Sequence, residues 1–227
     1  MRREKPAIGE IYHIYNRGVE KRKIFLKDHD RVRFLYSLSV FNSTLSSMND
    51  RHYFDPQNTE VGLRYGEKLV EIIAFVLMPN HYHLMVRQAS ENGVTEFMRK
   101  LGTGYTNYFN KLYERVGPLF QGKYKAVRLE KESHFKYLPY YIHLNPLDLE
   151  FPEWRKENLK KSKGVLNFLD SYPWSSFHDY TGNPRHSNIL STKDLKEYRE
   201  NPGQYKKDLD DWLADNTEEI KEITLEN

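Results

Sequence analysis

The chain carries, at residues 69–78, the run Leu-Val-Glu-Ile-Ile-Ala-Phe-Val-Leu-Met, followed directly by Pro79-Asn80 and by His-Tyr-His-Leu-Met-Val-Arg at 81–87. The first run is almost entirely apolar and rich in β-branched side chains, and the Pro-Asn pair is typical of a tight turn. The stretch therefore predicts two antiparallel strands joined by a hairpin turn, with two histidines at the start of the second strand.

The segments on either side of this hairpin alternate between strand and helix patterns. Residues 10–16 are rich in β-formers, and apolar positions recur with helical spacing from Asp28 onward. After the hairpin, a helix is predicted over 94–113, a strand over 124–129 and a helix over 132–144. The order β-α-β-β-α-β-α is typical of an α+β fold, a ferredoxin-like or RRM-like antiparallel sheet with helices on one face. We expect the other sheet face to be open for a ligand.

Three regions follow from these patterns. Residues 1–150 are predicted to form the core domain, interrupted by a polar loop insertion over about 43–68. Residues 151–186, with a basic stretch at 155–163, are interpreted as an extension packed on that core. Residues 187–227 form an acidic tail with 6 basic and 11 acidic residues, a net charge of −5, and with short helical patterns.

Charge and composition limit the classes of function. The 227 residues carry a formal net charge of +3, so about +8 lies on the first 186, which favours a polyanionic partner. The 17 Tyr and 12 Phe offer faces for stacked bases, although tyrosines lining the core are an equally good interpretation. The absence of Cys excludes a thiolate nucleophile. No apolar run reaches the ~18 to 20 residues of a membrane span, so a bacterial cytoplasmic location is expected.

His81 and His83 lie two residues apart on the predicted second strand of the hairpin. Because side chains alternate across a strand, both imidazoles point to the same face, with Cα atoms roughly 6 to 7 Å apart. Two imidazoles are an incomplete ligand set, which Mg²⁺ or Mn²⁺ would complete with oxygen ligands while keeping positions for a phosphate. A structural role for the pair is the alternative. His13, on the first strand, can approach this site, but we assign it no role.

Tyr141 and Asn145 are one helical turn apart, so a phenol and an amide oxygen share one helix face. The alternative is that Tyr141 is a core tyrosine and Asn145 a helix cap. Tyr137 and Tyr140 compete with Tyr141 as a nucleophile, and the spacing to Asn145 favours Tyr141. Pro139 removes a hydrogen bond within the helix, so the helix is expected either to kink there or to start near it.

Three ordered motifs resemble the insertion-sequence single-tyrosine transposases of the His-hydrophobic-His (HUH) superfamily, and most closely the REP-associated tyrosine transposases. The motifs are Phe-Val-Leu-Met-Pro-Asn-His-Tyr-His-Leu-Met-Val at 75–86, Gly-Pro-Leu-Phe-Gln-Gly-Lys-Tyr-Lys at 117–125 and Tyr-Ile-His-Leu-Asn-Pro at 141–146. A Pro-Trp-Ser-Ser element at 173–176 is also similar. The resemblance covers most of the first 180 residues, but neither the tail nor the loop over 43–68.

The resemblance implies an enzyme that cleaves single-stranded DNA beside a hairpin and leaves a 5′-phosphotyrosine and a free 3′-hydroxyl. It implies Tyr141 as the nucleophile, His81 and His83 as metal ligands and Asn145 as a third polar ligand, with Mg²⁺ or Mn²⁺ as the cofactor. A phenol with a pKa near ~10 is a poor nucleophile at neutral pH, so it needs activation by a nearby cation or base. His143 points elsewhere on the helix and is interpreted as structural.

Basic residues around an aromatic side chain indicate where DNA would bind. Lys123, Lys125 and Arg128 flank Tyr124 on a predicted strand, and Arg17 follows the first strand. Ordinary solvated strand charges are the alternative interpretation. The predicted partner is single-stranded or hairpin DNA, bound by a monomer or a homodimer, with no membrane. The alternative function is a catalytically inactive hairpin or single-strand DNA-binding protein of the same fold.

Overall fold

The computed structural model describes residues 6–45, 66–152, 154 and 163–215. The centre of the fold is an antiparallel sheet of four strands in the order β2-β3-β1-β4. The strands are β1 (Ile11–Arg17), β2 (Val70–Met78), β3 (His81–Gln88) and β4 (Lys125–Arg128). The predicted order of elements and the α+β, ferredoxin-like sheet are confirmed. Most of the predicted insertion (46–65) and most of the basic stretch (155–162) lie outside the described residues.

Seven helices are described in these ranges, together with two short 3-10 segments, Val19–Lys21 and Asn145–Leu149. The helices of the core are α1 (Asp28–Val40), α2 (Gly93–Leu112) and α3 (Glu132–Leu144). The helices that follow are α4 (Lys163–Ser171), α5 (Phe177–Tyr180), α6 (Lys196–Glu200) and α7 (Pro202–Asp215). No helix in the described part of the chain is long and apolar enough to span a bilayer.

The first sheet face packs against α1 and α2. Tyr82 of β3 lies with its ring centroid 5.0 Å from that of Phe34 in α1, and Leu84 and Val86 follow it at two-residue intervals. Helix α2 contributes a buried apolar face at helical spacing, formed by Val94, Phe97, Met98, Leu101, Tyr105 and Phe109. This layer is the arrangement that the periodicity predicts.

The second sheet face is partly covered by α3. The ring of Tyr141 lies 5.5 Å from that of His83, which alternation along β3 places on the face opposite Tyr82. The expectation of an open second face is therefore wrong over this area. Helix α3 runs unbroken from Glu132 through Pro139, so the alternative that it starts near Pro139 is wrong as well.

The outer edge of β2 is covered by the segment that follows α4. Backbone hydrogen bonds join Leu77 N to Trp174 O (2.9 Å), Ser176 N to Phe75 O (3.0 Å) and Ser191 N to Ile72 O (2.7 Å). An exposed strand edge is a template for pairing with other chains, and these bonds occupy it. The predicted extension and part of the predicted tail therefore complete the edge of the sheet.

A buried hydrogen-bond network fixes α3 to the later helices. His143 Nδ1 lies 2.5 Å from the hydroxyl of Tyr205 in α7, and its Nε2 lies 2.7 Å from Ser176 Oγ. Tyr205, Leu209 and Leu213 are buried, so α7 shares the hydrophobic core. Burial and, to a smaller extent, the interaction with His178 lower the pKa of His143 to about 3. The interpretation of His143 as structural agrees with these contacts.

The depressed pKa of His143 predicts a loss of stability in acid. The ordinary pKa is 6.5 and the folded-state value is about 3, so between these values the unfolded chain binds a proton that the folded protein does not. We expect this one group to lower the free energy of unfolding by about 1.4 kcal/mol for each pH unit between about pH 6 and pH 4. Urea unfolding curves at pH 7, 6, 5 and 4 measure the slope.

Two variants isolate the contribution of His143. His143→Gln removes the titrating group and should flatten the pH dependence, even though the variant is less stable at pH 7. His29→Gln, at an exposed histidine of α1, should keep the wild-type slope. A wild-type slope in His143→Gln would contradict this assignment.

Candidate active site

The hairpin turn places His81 and His83 on one face at the start of β3. Their ring centroids are 5.1 Å apart and nearly perpendicular, at 89°. His81 Nδ1 lies 2.6 Å from Asn80 Oδ1, an acceptor, so Nδ1 of His81 is the donor. His83 likewise uses Nδ1, which lies 2.8 Å from Nε2 of His13. Both histidines therefore have Nε2 as the nitrogen with which they would bind a metal ion.

His13 is the residue of this cluster to which the sequence assigned no role. It is fully buried on β1, and its ring stacks on that of His83 at 5.1 Å and 21°. The register pairs His13 with Met85, so its side chain shares the sheet face of His83. The sequence carries a signal for this position, because alternation along β1 places the side chain of His13 on one face of the sheet. In the structure that face is the one that carries the histidine pair.

Tyr141 is the tyrosine of α3 that meets the histidines. Its ring lies 5.5 Å from His83 and 5.9 Å from His13, in edge-to-face geometry in both cases. Tyr140 instead packs against Tyr205 at 5.0 Å, on the side of α7, and Tyr137 lies 6.3 Å from Tyr140. Among the three competing tyrosines, the contacts therefore favour Tyr141 as the candidate nucleophile.

Asn145 is tied to Tyr141 through the backbone. Its Nδ2 donates to the carbonyl of Tyr141 at 2.8 Å, which is the helix-capping role that the sequence allowed. The same bond leaves Oδ1 buried with no hydrogen-bond partner among the described residues. A buried amide oxygen without a donor is costly, and a cation would satisfy it.

By its chemistry, the predicted donor set fits a divalent ion that keeps open coordination positions. Two imidazoles and one amide oxygen supply at most three ligands, which leaves room for phosphate oxygens and water. Within residues 6–45, 66–152, 154 and 163–215, no group of three or more His, Cys, Asp or Glu side chains is placed to hold a metal ion. His81 and His83 alone are therefore not a closed structural site, and the buried amide oxygen of Asn145 stays a predicted third ligand.

The five predicted DNA contacts separate into two places. Arg17 pairs in register with His81 and so shares the face of the histidines. Lys123 and Tyr124 instead line a groove between β4 and α2, with Arg128 at the same wall. Lys125 also lines this groove, but its register with Tyr15 places it on the histidine face. The guanidinium of Arg128 makes two hydrogen bonds of 2.9 Å to the carboxylate of Glu10, which engages it within the protein.

In a comparison with known protein families, the central part of this chain matches one family. Residues 64–145 match the family described as "Transposase IS200 like". That segment includes β2, β3, α2, β4 and α3, and hence His81, His83, Tyr141 and Asn145. No curated protein matches the chain.

One solved structure similar to this chain is entitled "Structure of the REP associates tyrosine transposase bound to a REP hairpin". The alignment has 13% sequence identity and a TM-score of 0.48, and it covers 78% of this chain and 82% of the other. The family match rests on the sequence of the segment that builds the histidine and tyrosine cluster. The similarity to IS200-like transposases therefore extends over residues 64–145, which include the histidine pair and Tyr141.

Proposed function

We propose that the protein is a metal-dependent single-strand DNA endonuclease and strand transferase that acts at hairpin-associated sites through a 5′-phosphotyrosine on Tyr141. The observation that supports it most directly is the meeting of Tyr141 with His83 and His13 on one sheet face. A phenol beside a metal-binding histidine pair is the arrangement that this chemistry needs. The match of residues 64–145 to IS200-like transposases supports the same reaction class.

In this proposal, each residue has a distinct task. Tyr141 Oη attacks the scissile phosphorus and loses its proton as the new phosphorus–oxygen bond forms. The bond to the 3′-oxygen breaks, and that oxygen takes up a proton and leaves as the 3′-hydroxyl. His81 and His83 would hold Mg²⁺ or Mn²⁺ through Nε2, with Asn145 Oδ1 as the third ligand. A bound ion withdraws charge from the phosphate and aligns it for in-line attack.

The covalent intermediate explains why strand transfer is proposed in addition to cleavage. The phosphotyrosine keeps the energy of the phosphodiester bond, so a second 3′-hydroxyl can displace Tyr141 and rejoin a strand without ATP. Arg17, which lies on the histidine face, is proposed to contact the phosphates next to the cut. Lys123, Tyr124, Lys125 and Arg128 are proposed to bind DNA further away.

The alternative is a catalytically inactive hairpin or single-strand DNA-binding protein of the same fold, and one observation favours it. Tyr141 is only 1% exposed and His83 is fully buried, so the candidate nucleophile is not open to a phosphate in this conformation. Cleavage therefore requires α3 to shift when DNA binds. A protein that only binds DNA would have no need of that movement.

Capture of the covalent intermediate separates these two functions. The protein is incubated with a pool of single strands that carry a stem-loop with randomised flanks, with Mn²⁺ or with EDTA. We expect a peptide containing Tyr141 whose mass is increased by a 5′-linked nucleotide, in the Mn²⁺ sample alone. DNA binding with no such peptide in either sample would establish the inactive alternative.

His13 is expected to act on the metal site through His83. Its Nε2 accepts a hydrogen bond from the Nδ1–H of His83 when His83 presents Nε2 to an ion, which fixes both the tautomer and the ring orientation of His83. We expect His13→Leu, which lacks the acceptor, to weaken Mn²⁺ binding by about 10- to 100-fold. Calorimetric titration of the DNA-free protein with Mn²⁺ measures the change. His13→Gln retains an acceptor and should recover most of the affinity; equal losses in both variants would show that only packing is affected.

A further inference from the structure

A groove with a volume of about 1490 Å³ runs between α2 and the chain segment of β4. One wall is the polar side of α2, with Arg99, Gly102, Thr103 and Thr106. The floor includes Tyr82, whose side chain points away from the histidine pair. The groove therefore lies mainly on the sheet face opposite the candidate active site, and it extends around the β4 edge to Tyr15 and Lys125 on the histidine face.

The groove exists because the helices cover only part of the first sheet face. The apolar side of α2 packs over β2 and β3, so its polar side faces the space above β1 and β4. Gly102 lies on that polar side, and a Cβ atom placed on it would meet no atom within 4 Å. The space next to Gly102 is therefore open.

The charge of the groove is one-sided. The described residues that line it include Arg99 on one wall and Lys123, Lys125 and Arg128 on the other, and none of them is Asp or Glu. In a chain with 32 acidic and 35 basic residues, such a lining selects for a polyanion. Because Arg128 is engaged by Glu10, the exposed cations Arg99, Lys123 and Lys125 provide most of the attraction.

Aromatic side chains add a second kind of contact. Tyr124 is half-buried at the wall of the groove, so part of its ring is available to a base, whereas Tyr12 and Tyr82 form a buried floor. Stacking on an exposed ring requires bases that are not already stacked in a duplex. Cations that follow a backbone, together with a ring for stacking, are typical of sites for unpaired strands.

The groove also reaches the histidine cluster at one point. Tyr15 lines it, and the ring of Tyr15 lies 5.7 Å from that of His83 and 5.1 Å from that of His13. Lys125 Nζ lies 5.8 Å from the Tyr15 ring centroid. The volume exceeds the ~300 to 1,000 Å³ that is usual for small-molecule pockets, which favours a polymer. A strand that follows the groove would pass the β4 edge toward Tyr15.

We infer that the groove between α2 and β4 binds an unpaired nucleic-acid strand, a binding region in addition to the cleavage centre. The inference rests on the proposed function for the identity of the polymer. It assigns to α2, through Arg99 and the surface at Gly102, a role in binding that the sequence motifs did not indicate.

Substitution of Gly102 tests the inference, because added atoms would enter the groove and not the core. The probe is a fluorescein-labelled oligothymidylate of about 12 nucleotides, measured by anisotropy in EDTA so that no cleavage is needed. We expect Gly102→Glu to weaken binding by about tenfold or more, because it adds a carboxylate among the cations. Gly102→Gln has the same size without the charge and should lose about threefold or less by the same argument.

Gly102→Ala is the matched control, since it substitutes the same position of α2 with a side chain too small to fill the groove. It should bind as the wild type does and melt at a slightly higher temperature, because Ala favours a helix more than Gly. Equal losses in the Glu and Gln variants would also support occupancy of the groove, by steric exclusion. Wild-type affinity in Gly102→Glu would overturn the inference.

The outcomes distinguish this inference from the proposed cleavage reaction. Loss of binding in Gly102→Glu, together with no Tyr141 adduct in the wild type, would support the groove as a binding site and contradict the proposed cleavage reaction. An adduct in the wild type, together with unchanged binding in Gly102→Glu, would do the opposite. A 4-thiothymidine strand cross-linked by light should label peptides of α2 or of residues 123–128 if the groove is occupied.

Discussion

Tyr141→Phe is expected to reduce the covalent protein–DNA adduct by about 10³-fold or more, because the variant removes the oxygen that bonds to phosphorus. The ring remains, so the edge-to-face contacts with His13 and His83 are retained and the fold should be unchanged. Affinity for the hairpin pool should stay within about twofold of the wild type, since the phenol oxygen contributes to the reaction and not to the binding surface. The adduct is measured by denaturing gel with a 5′-labelled and a 3′-labelled strand.

Tyr140→Phe is the matched control for this experiment. It makes the same chemical change one residue earlier, on a side chain that packs against Tyr205 and not against the histidines. Adduct formation should be retained in Tyr140→Phe. If Tyr141→Phe still forms the adduct and Tyr140→Phe does not, the assignment of the nucleophile is wrong, and the contact of Tyr141 with His83 is only packing.

His83→Ala is expected to lower the affinity for Mn²⁺ by about 100-fold or more and to remove the adduct, because it deletes one of the two proposed imidazole ligands. The second proposed ligand, His81, is 8% exposed, so His81→Ala disturbs the core less and should give a similar loss. Electron paramagnetic resonance of free Mn²⁺ in the presence of the DNA-free protein measures affinity without any dependence on cleavage.

His29→Ala is the control for a histidine outside the site. His29 is exposed on α1, so its removal should change neither Mn²⁺ affinity nor adduct formation. Thermal unfolding of each variant shows whether the fold is kept, which matters most for His83 because His13 would lose its hydrogen-bond partner. Wild-type Mn²⁺ affinity in a folded His81→Ala variant would contradict the proposed metal site.

The elements of the fold that sequence patterns predict well are those with strong local signals. The hairpin of β2 and β3 follows from an apolar run, a Pro-Asn turn and a second run, and the boundaries agree to within one residue. Helix α3 was predicted over the residues that it occupies, 132–144. Strand β4 is shorter than predicted, at Lys125–Arg128, because only these residues pair with β1.

The covering of the second sheet face was the main feature that local patterns missed. A signal was nevertheless present, because β2 is apolar at almost every position, which is typical of a strand buried on both faces. Alternation in β3 predicts which of its side chains share a face, but it does not identify the element that covers the second face. That element is α3, which begins more than 40 residues later. Contacts between segments so distant are set by tertiary packing, which periodicity does not encode.

The candidate site was predicted only in part, again because local patterns do not encode contacts between distant segments. The spacing of His81 and His83, and that of Tyr141 and Asn145, each fall within one element, so the sequence shows which residues share a face. The hydrogen bond between His13 and His83 joins two strands that are 70 residues apart in the chain. The groove beside Gly102 depends on where α2 leaves the sheet uncovered, and no local motif records that.

Along β3, neighbouring residues serve different surfaces: Tyr82 points to the groove side, and His81 and His83 to the side of Tyr141. A slip of β3 by one position against β1 would exchange these surfaces and bury both imidazoles beside Phe34 and Phe120. Insertions and deletions within this strand would therefore preserve both surfaces only when they occur in pairs. Whether the number of residues in β3 is odd or even therefore matters to both surfaces. Neither surface can gain or lose a single residue of β3 without a change in the other.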